Sequence, residues 1–179
     1  MNDIPPPIQA IPTLYQGRLF RSRLEAKWAA WFDLVHWKWD YETLDLEGWA
    51  PDFVLMGYRG PIYVEIKPVI PGIQTDQFSK AKRSSVRHSA DILLLGMCPI
   101  NLKNGYTIGV CNEADDGDMW GLALGKHACP GIRIGYCSTD GWWGDRITGE
   151  FDRLPGGLVS EDVMRLWGEA GTAVQWTPQ

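Results

Sequence analysis

A chain of 179 residues with 45% hydrophobic and 12% aromatic content has enough apolar material for one folded domain with a full core. No apolar run reaches membrane-spanning length, and the first twenty residues lack a charged-then-apolar secretory pattern, so a soluble intracellular protein without a membrane partner is expected. The formal net charge of −5 gives no global pull toward nucleic acid, so contact with a phosphate backbone would have to rely on a local basic patch and on metal ions.

Residues 1 to 14, with Pro5, Pro6 and Pro7 in succession, read as an extended arm. A helix is expected from Ser22, where Leu24, Trp28, Trp31, Phe32 and Val35 form an apolar stripe at helical spacing. Trp37 to Glu42 alternates strictly, with three aromatic residues on one face, and predicts a strand. After a turn over 45 to 50, Pro51-Asp52-Phe53-Val54-Leu55-Met56 reads as a second strand, with proline tolerated at its head. Gly57 to Gly60 suits a hairpin into a third strand over 61 to 67, giving an antiparallel meander.

Residues 76 to 88 predict a helix with Phe78, Ala81 and Ser85 inward and its basic residues mostly outward. The continuous apolar run Asp91 to Gly96 predicts a strand buried on both faces. Beyond residue 100 the pattern weakens to short strands at 106 to 111, 119 to 124 and 132 to 137, separated by glycine-rich turns. A closing helix is expected over 160 to 170 with Ser160 as N-cap. Cys98, Cys111, Cys129 and Cys137 contain no Cys-x-x-Cys pair and read as reduced core thiols. His127 with Cys129 is a weak match to a metal site.

Chemistry enters through Asp52 and the triplet Glu65-Ile66-Lys67. On a strand, side chains two apart share a face, so Glu65 and Lys67 emerge together with Tyr63 while Ile62, Val64 and Ile66 face the other side. A second copy, Glu25-Ala26-Lys27, lies in helical pattern, where residues two apart diverge by about 200° and cannot converge on one ion. Bland alternatives stand beside the catalytic one. Asp52 suits a turn after proline, and Glu65 with Lys67 suits an exposed salt bridge on an edge strand. The three together, in this element order, favour a site.

Pro51-Asp52 opening one strand and Glu65-Ile66-Lys67 closing the next, within the order helix-strand-strand-strand-helix-strand, resembles the PD-(D/E)xK nuclease superfamily. The resemblance spans residues 15 to 97, and Phe20 to Trp28 looks like the first helix of its small phage-borne or resolvase-like members. It implies an α/β (α+β) restriction-endonuclease-like core, with a mixed sheet flanked by helices and a β-rich extension over 98 to 179. It implies a Mg²⁺- or Mn²⁺-dependent deoxyribonuclease, an endonuclease of phage or mobile-element origin acting in the cytoplasm of a bacterial or phage-infected cell, with branched DNA among its candidate substrates. An exonuclease and a catalytically silent DNA- or protein-binding module remain as alternatives, and a homodimer or a partner protein stays open.

By the same resemblance Asp52, Glu65 and the Ile66 carbonyl would hold the ion, with Glu25 on the first helix completing the site. Glu25 also fits a capping box, Ser22-x-x-Glu25, and one carboxylate does not easily serve both roles. Lys67, with two carboxylates beside it, would act electrostatically on the developing phosphorane charge. Arg21 and Arg23 at the helix start, and Gln77, Lys80, Lys82, Arg83 and Arg87 around the second helix, are the candidate DNA contacts, against the plain alternative of a solvated surface. Trp142 and Trp143, read as part of a turn-rich segment, could stack on unpaired bases or bury against the sheet or another subunit.

Overall fold

A computed structural model of the chain describes residues 10–46, 48–67, 83, 87–102, 105–112, 120–124, 135–137, 142–149, 151–153 and 162–175. Its first element is a hairpin of β1 (Thr13–Tyr15) and β2 (Arg18–Phe20), where an extended arm through residue 14 was expected. Gln16 at φ 47° and Gly17 at φ 78° make the two-residue turn. Two successive positive φ values match the right-handed twist of paired strands, and glycine takes the second of them without strain.

Helix α1 (Arg23–Leu34) follows with Ser22 as its N-cap, as the apolar spacing predicts. Trp28, Trp31 and Phe32 are fully buried on it, and Ala26, Ala29 and Ala30 let neighbouring elements approach closely. The meander is also as predicted. β3 (Trp39–Tyr41) pairs antiparallel with β4 (Phe53–Met56), which pairs antiparallel with β5 (Pro61–Ile66). The Gly57 N–H donates to the Gly60 carbonyl at 3.0 Å to close the β4–β5 turn. A Cβ on Gly57 would stand 2.7 Å from that carbonyl oxygen, so only glycine fits.

β6 (Asp91–Leu102) lies parallel to β5, and a parallel neighbour requires a crossover between them. Of the helix expected over 76 to 88, residues 83, 87 and 88 are described, and all three are helical with exposed side chains; the rest, with Gln77, Lys80 and Lys82, lies outside the described residues. β7 (Gly105–Asn112) and β8 (Trp120–Leu124) continue the sheet antiparallel, giving a six-stranded mixed sheet in the order β3-β4-β5-β6-β7-β8. β9 (Gly135–Cys137), β10 (Trp142–Asp145) and β11 (Phe151–Arg153) form a separate antiparallel three-stranded sheet. Trp142 and Trp143 therefore lie in a strand, not a turn, because their aromatic β-propensity outweighs the flanking glycines.

Helix α2 (Asp162–Ala173) closes the described chain, and Ser160, its expected cap, lies outside the described residues. It packs on α1, with Trp167 and Trp28 ring centroids 4.5 Å apart. One core gathers Trp28, Trp31 and Phe32 of α1, Val163, Trp167 and Ala170 of α2, and the sheet residues Phe53, Leu55, Ile62, Val64, Ile66, Leu93 and Leu95. Burying each such side chain contributes about 1.5–3 kcal/mol. On the opposite face Val54, Tyr63, Ile92 and Leu94 form a second cluster, covered in part by Leu44, Leu46 and Trp49. The predicted alternation of β5 is thus realised, with Ile62, Val64 and Ile66 toward the helices and Tyr63 away from them.

Cys98 departs from expectation. It is an exposed free thiol, not a core residue. It lies between Leu95 and Ile100, where the β6–β7 register shifts and the strand's inside-outside alternation breaks. Among the described residues no helix is long and apolar enough to cross a membrane.

Candidate active site at the ends of β4 and β5

Asp52 stands one residue before β4, beside the end of β5. The residue is almost wholly enclosed, at 5% exposure. Oδ2 accepts the Ile66 N–H at 2.7 Å and Oδ1 accepts Arg21 Nη2 at 2.9 Å. The first bond is possible because β4 begins with Phe53 opposite Val64, which leaves Asp52 alongside the last residues of β5. A turn-forming aspartate would bond its own loop; this one bridges to the neighbouring strand.

Glu65 is likewise buried, at 7% exposure, and β5 is an interior strand between β4 and β6. The exposed, edge-strand salt bridge therefore does not describe this pair. Glu65 Oε1 lies 2.5 Å from Lys67 Nζ, and Oε2 accepts the Trp49 indole N–H at 3.0 Å. Trp49 is presented by the tight turn in which Leu46 and Trp49 exchange backbone hydrogen bonds, and its ring packs edge-on against Tyr63. Lys67 keeps partial access to solvent. Strand geometry thus brings an acid and an amine together at the sheet's end, with one carboxylate oxygen braced by an indole.

Glu25 is tied to the N-cap as expected, although its carboxylate meets the Ser22 hydroxyl and not the cap's backbone N–H, and it faces the site as well. The Ser22 hydroxyl accepts the Glu25 N–H at 3.1 Å and donates to Glu25 Oε1 at 2.8 Å. The second oxygen, Oε2, accepts the Tyr41 hydroxyl at 2.5 Å. Tyr41 sits at the end of β3, so Glu25 ties the helix start to the strand edge. Burial and the bond to Glu25 push the Tyr41 phenol up to about 12, which keeps it a donor across the physiological range.

Arg21 lies at the centre of this polar end. Besides Asp52, its guanidinium meets Glu42 Oε1 at 2.5 Å and stands 4.0 Å from Glu25 Oε2. Glu42 is a site residue that pattern reading passes over. The chain leaves β3 at Glu42 in a left-handed conformation, φ 49°, and its N–H donates to the Asp52 carbonyl at 3.1 Å. The available signal was the meander itself, since pairing Tyr41 with Phe53 sets Glu42 beside Asp52.

The electrostatics centre on Asp52. Burial, then the Glu65 charge, push its carboxyl from the ordinary 3.8 up to about 7, with a further rise from Glu25; the Ile66 N–H and Lys67 pull the other way. The attraction of Arg21 is divided among three carboxylates and weakened by water, because its side chain is 60% exposed. A buried acid crowded by two others is a position where a multivalent cation would relieve repulsion.

The donor set fits a hard divalent cation, which takes carboxylate and carbonyl oxygens and keeps several waters. The guanidinium already stands where Asp52, Glu42 and Glu25 converge on positive charge. As the side chains lie, no three His, Cys, Asp or Glu groups among the described residues are close enough to hold one ion. Asp52 and Glu25 are joined through Arg21 instead of sharing a vertex.

The remaining expected contacts are scattered or undescribed. Arg23 is exposed at the start of α1, and Arg83 and Arg87 are exposed in helical backbone. Trp142 and Trp143 lie on β10, and His127 and Cys129 lie outside the described residues. Comparison of the chain with protein-family models, with curated proteins and with solved structures finds no match.

Proposed function

We propose that the chain is a metal-dependent deoxyribonuclease of the PD-(D/E)xK type, built on a restriction-endonuclease-like core and hydrolysing phosphodiester bonds within DNA. The observation that carries this is the Asp52–Glu65–Lys67 grouping: two buried carboxylates and a partly exposed lysine at adjoining strand ends, beside a parallel β6. A purely structural cluster has little use for a lysine placed next to a buried acid whose other oxygen is already satisfied by Trp49.

In this function Asp52 and Glu65 would hold Mg²⁺ or Mn²⁺ together with the Ile66 carbonyl, with Glu25 as the supporting acid. The bound ion would polarise the phosphate and lower the pKa of an attacking water. Asp52, whose carboxyl is pushed up by burial and by the Glu65 charge, would have to be ionised to take that role. Lys67 places fixed positive charge at the open end of the site, where negative charge grows on the phosphoryl oxygens. Trp49 and the Ile66 N–H hold one oxygen of each carboxylate in place, so the change needed for an ion to bind falls on Arg21 and Glu25.

A second function has its own observation. Both Asp52 oxygens are already bonded, one of them by Arg21, which is what a catalytically silent binding module would also show. Incubating the protein in Mg²⁺ or Mn²⁺ with linear, single-stranded, flapped and four-way-junction DNA, beside Asp52→Asn and Lys67→Ala, separates the two. Cleavage lost in both variants supports the nuclease. Cleavage that survives both removes the proposed site, and binding without cleavage on every substrate assigns the silent module.

A further inference from the structure

Arg21 is held by acids from separate elements. Asp52 Oδ1 at 2.9 Å comes from the head of β4, Glu42 Oε1 at 2.5 Å from the exit of β3, and Glu25 Oε2 at 4.0 Å from α1. Its backbone N–H is also tied, donating to the Tyr41 hydroxyl at 3.0 Å. The backbone is therefore anchored while the side chain stays 60% exposed. An anchored, exposed guanidinium can change partners without disturbing the fold.

Two consequences follow from the guanidinium's charge and shape. A guanidinium bonded to Asp52 competes with a divalent cation for the same oxygen. It is also the group best suited to take a phosphate, because its planar donor fork matches phosphate oxygens as well as it matches carboxylates. Glu42 sets the balance by giving Arg21 a resting partner outside the Asp52–Glu65 pair.

Resting on the nuclease reading above, we propose that Arg21 is a positioning residue that holds Asp52 Oδ1 against a cation until DNA arrives, then transfers to a backbone phosphate and releases Asp52 to the metal. Glu42 is the parking acid that makes the exchange reversible. The arrangement couples substrate capture to metal loading, so the divalent ion is held weakly without DNA and more tightly with it. The reciprocal effect of metal on DNA affinity follows by linkage.

The test compares wild type, Arg21→Ala, Arg21→Gln, Asp52→Asn and, as a charge-matched control, Arg18→Ala, whose side chain rests over the Trp39 ring. Mn²⁺ binding to the DNA-free protein is measured by titration calorimetry, and binding to a short DNA duplex is measured in EDTA. Both Arg21 variants are expected to bind Mn²⁺ about tenfold more tightly than wild type, as when a competitor holding the site nine-tenths of the time is removed. They are expected to bind DNA several-fold more weakly, with the salt slope reduced by about one. Arg18→Ala should show a much smaller gain in Mn²⁺ affinity. Opposite signs in the two measurements mark the exchange.

If the Arg21 variants remain folded by circular dichroism but bind Mn²⁺ no more tightly than Arg18→Ala, or bind DNA as wild type does, the exchange is overturned. Should Asp52→Asn still abolish Mn²⁺ binding in that case, the nuclease site survives its loss. Mn²⁺ binding unchanged in Asp52→Asn overturns both. Loss of folding in Arg21→Ala and Arg21→Gln alike also overturns the exchange, since it makes Arg21 a structural pillar.

Discussion

The chain contains Glu-x-Lys twice, and the two copies end in opposite arrangements. In Glu65-Ile66-Lys67 the carboxylate and amine meet at 2.5 Å on one face of an interior strand. In Glu25-Ala26-Lys27 the carboxylate turns toward Tyr41 and Arg21, while the Lys27 amine lies 3.9 Å from the Trp167 ring centroid on α2. The same residue types at the same spacing make a joint site with a period of two and are split apart by a period of 3.6. Burial depresses the Lys27 amine, an environment that calls for packing against an aromatic face and not for an ion pair with its own neighbour.

The sharpest way to break that contrast is to remove each lysine. Lys67→Ala is expected to lower DNA cleavage by about 100-fold or more, as loss of one fixed charge at a phosphoryl centre does, with little change in the unfolding midpoint. Lys27→Ala should leave cleavage close to wild type and cost about 1 kcal/mol of stability through the lost contact with Trp167. Steady-state cleavage and urea unfolding of both variants read the two effects. Equal activity losses would mean that the strand copy holds no special place.

Most of what was legible in advance rests on strong periodicity. The α1 stripe, the alternation of β3 and β5 and the apolar run of β6 each fix what is buried, so the meander and a buried strand after it could be read, while the parallel pairing of β6 with β5 comes from the structure. The hairpin before α1 was not, because Gln16-Gly17 makes its turn with a residue outside the usual Asn or Asp. Glu42 was missed because its place depends on pairing across the turn at 45 to 50, not on any local pattern. Arg21 was legible as a basic residue near the helix start; that it would bridge acids from separate elements needed three dimensions. The exposure of Cys98 depends on a register shift that composition does not encode.

The next test probes why Asp52 differs from an ordinary acid at a strand end. An acid whose folded pKa is about 7 against 3.8 holds its proton more tightly when folded, so the resulting stabilisation is fully present below 3.8 and is lost as pH rises through 7. Between pH 5 and pH 8 this amounts to roughly 2–3 kcal/mol. In EDTA, the excess stability of wild type at pH 5 over pH 8 should therefore shrink by about that amount in Asp52→Asn, measured by urea unfolding at the two pH values. An unchanged difference would show that Arg21 and the Ile66 N–H hold Asp52 at its ordinary pKa, and the electrostatic case for a cation there would fall with it.

The smallest effect concerns the helical copy, where Glu25 both exchanges bonds with Ser22 and accepts from Tyr41. Ser22→Ala removes the N-cap and is expected to cost about 1 kcal/mol while leaving cleavage near wild type, since Tyr41 still orients the carboxylate. Glu25→Gln keeps an acceptor oxygen for one of the Ser22 and Tyr41 hydroxyls and turns an N–H donor to the other, whose oxygen can accept it, while deleting the charge that faces Arg21 and Asp52. Its stability should stay within about 0.5 kcal/mol of wild type, while cleavage falls about tenfold if the charge serves the site. The pair of variants separates shape from charge at a single residue. The reverse pattern, with stability lost and cleavage kept in Glu25→Gln, would make Glu25 a cap alone and leave Asp52 and Glu65 as the site's acids.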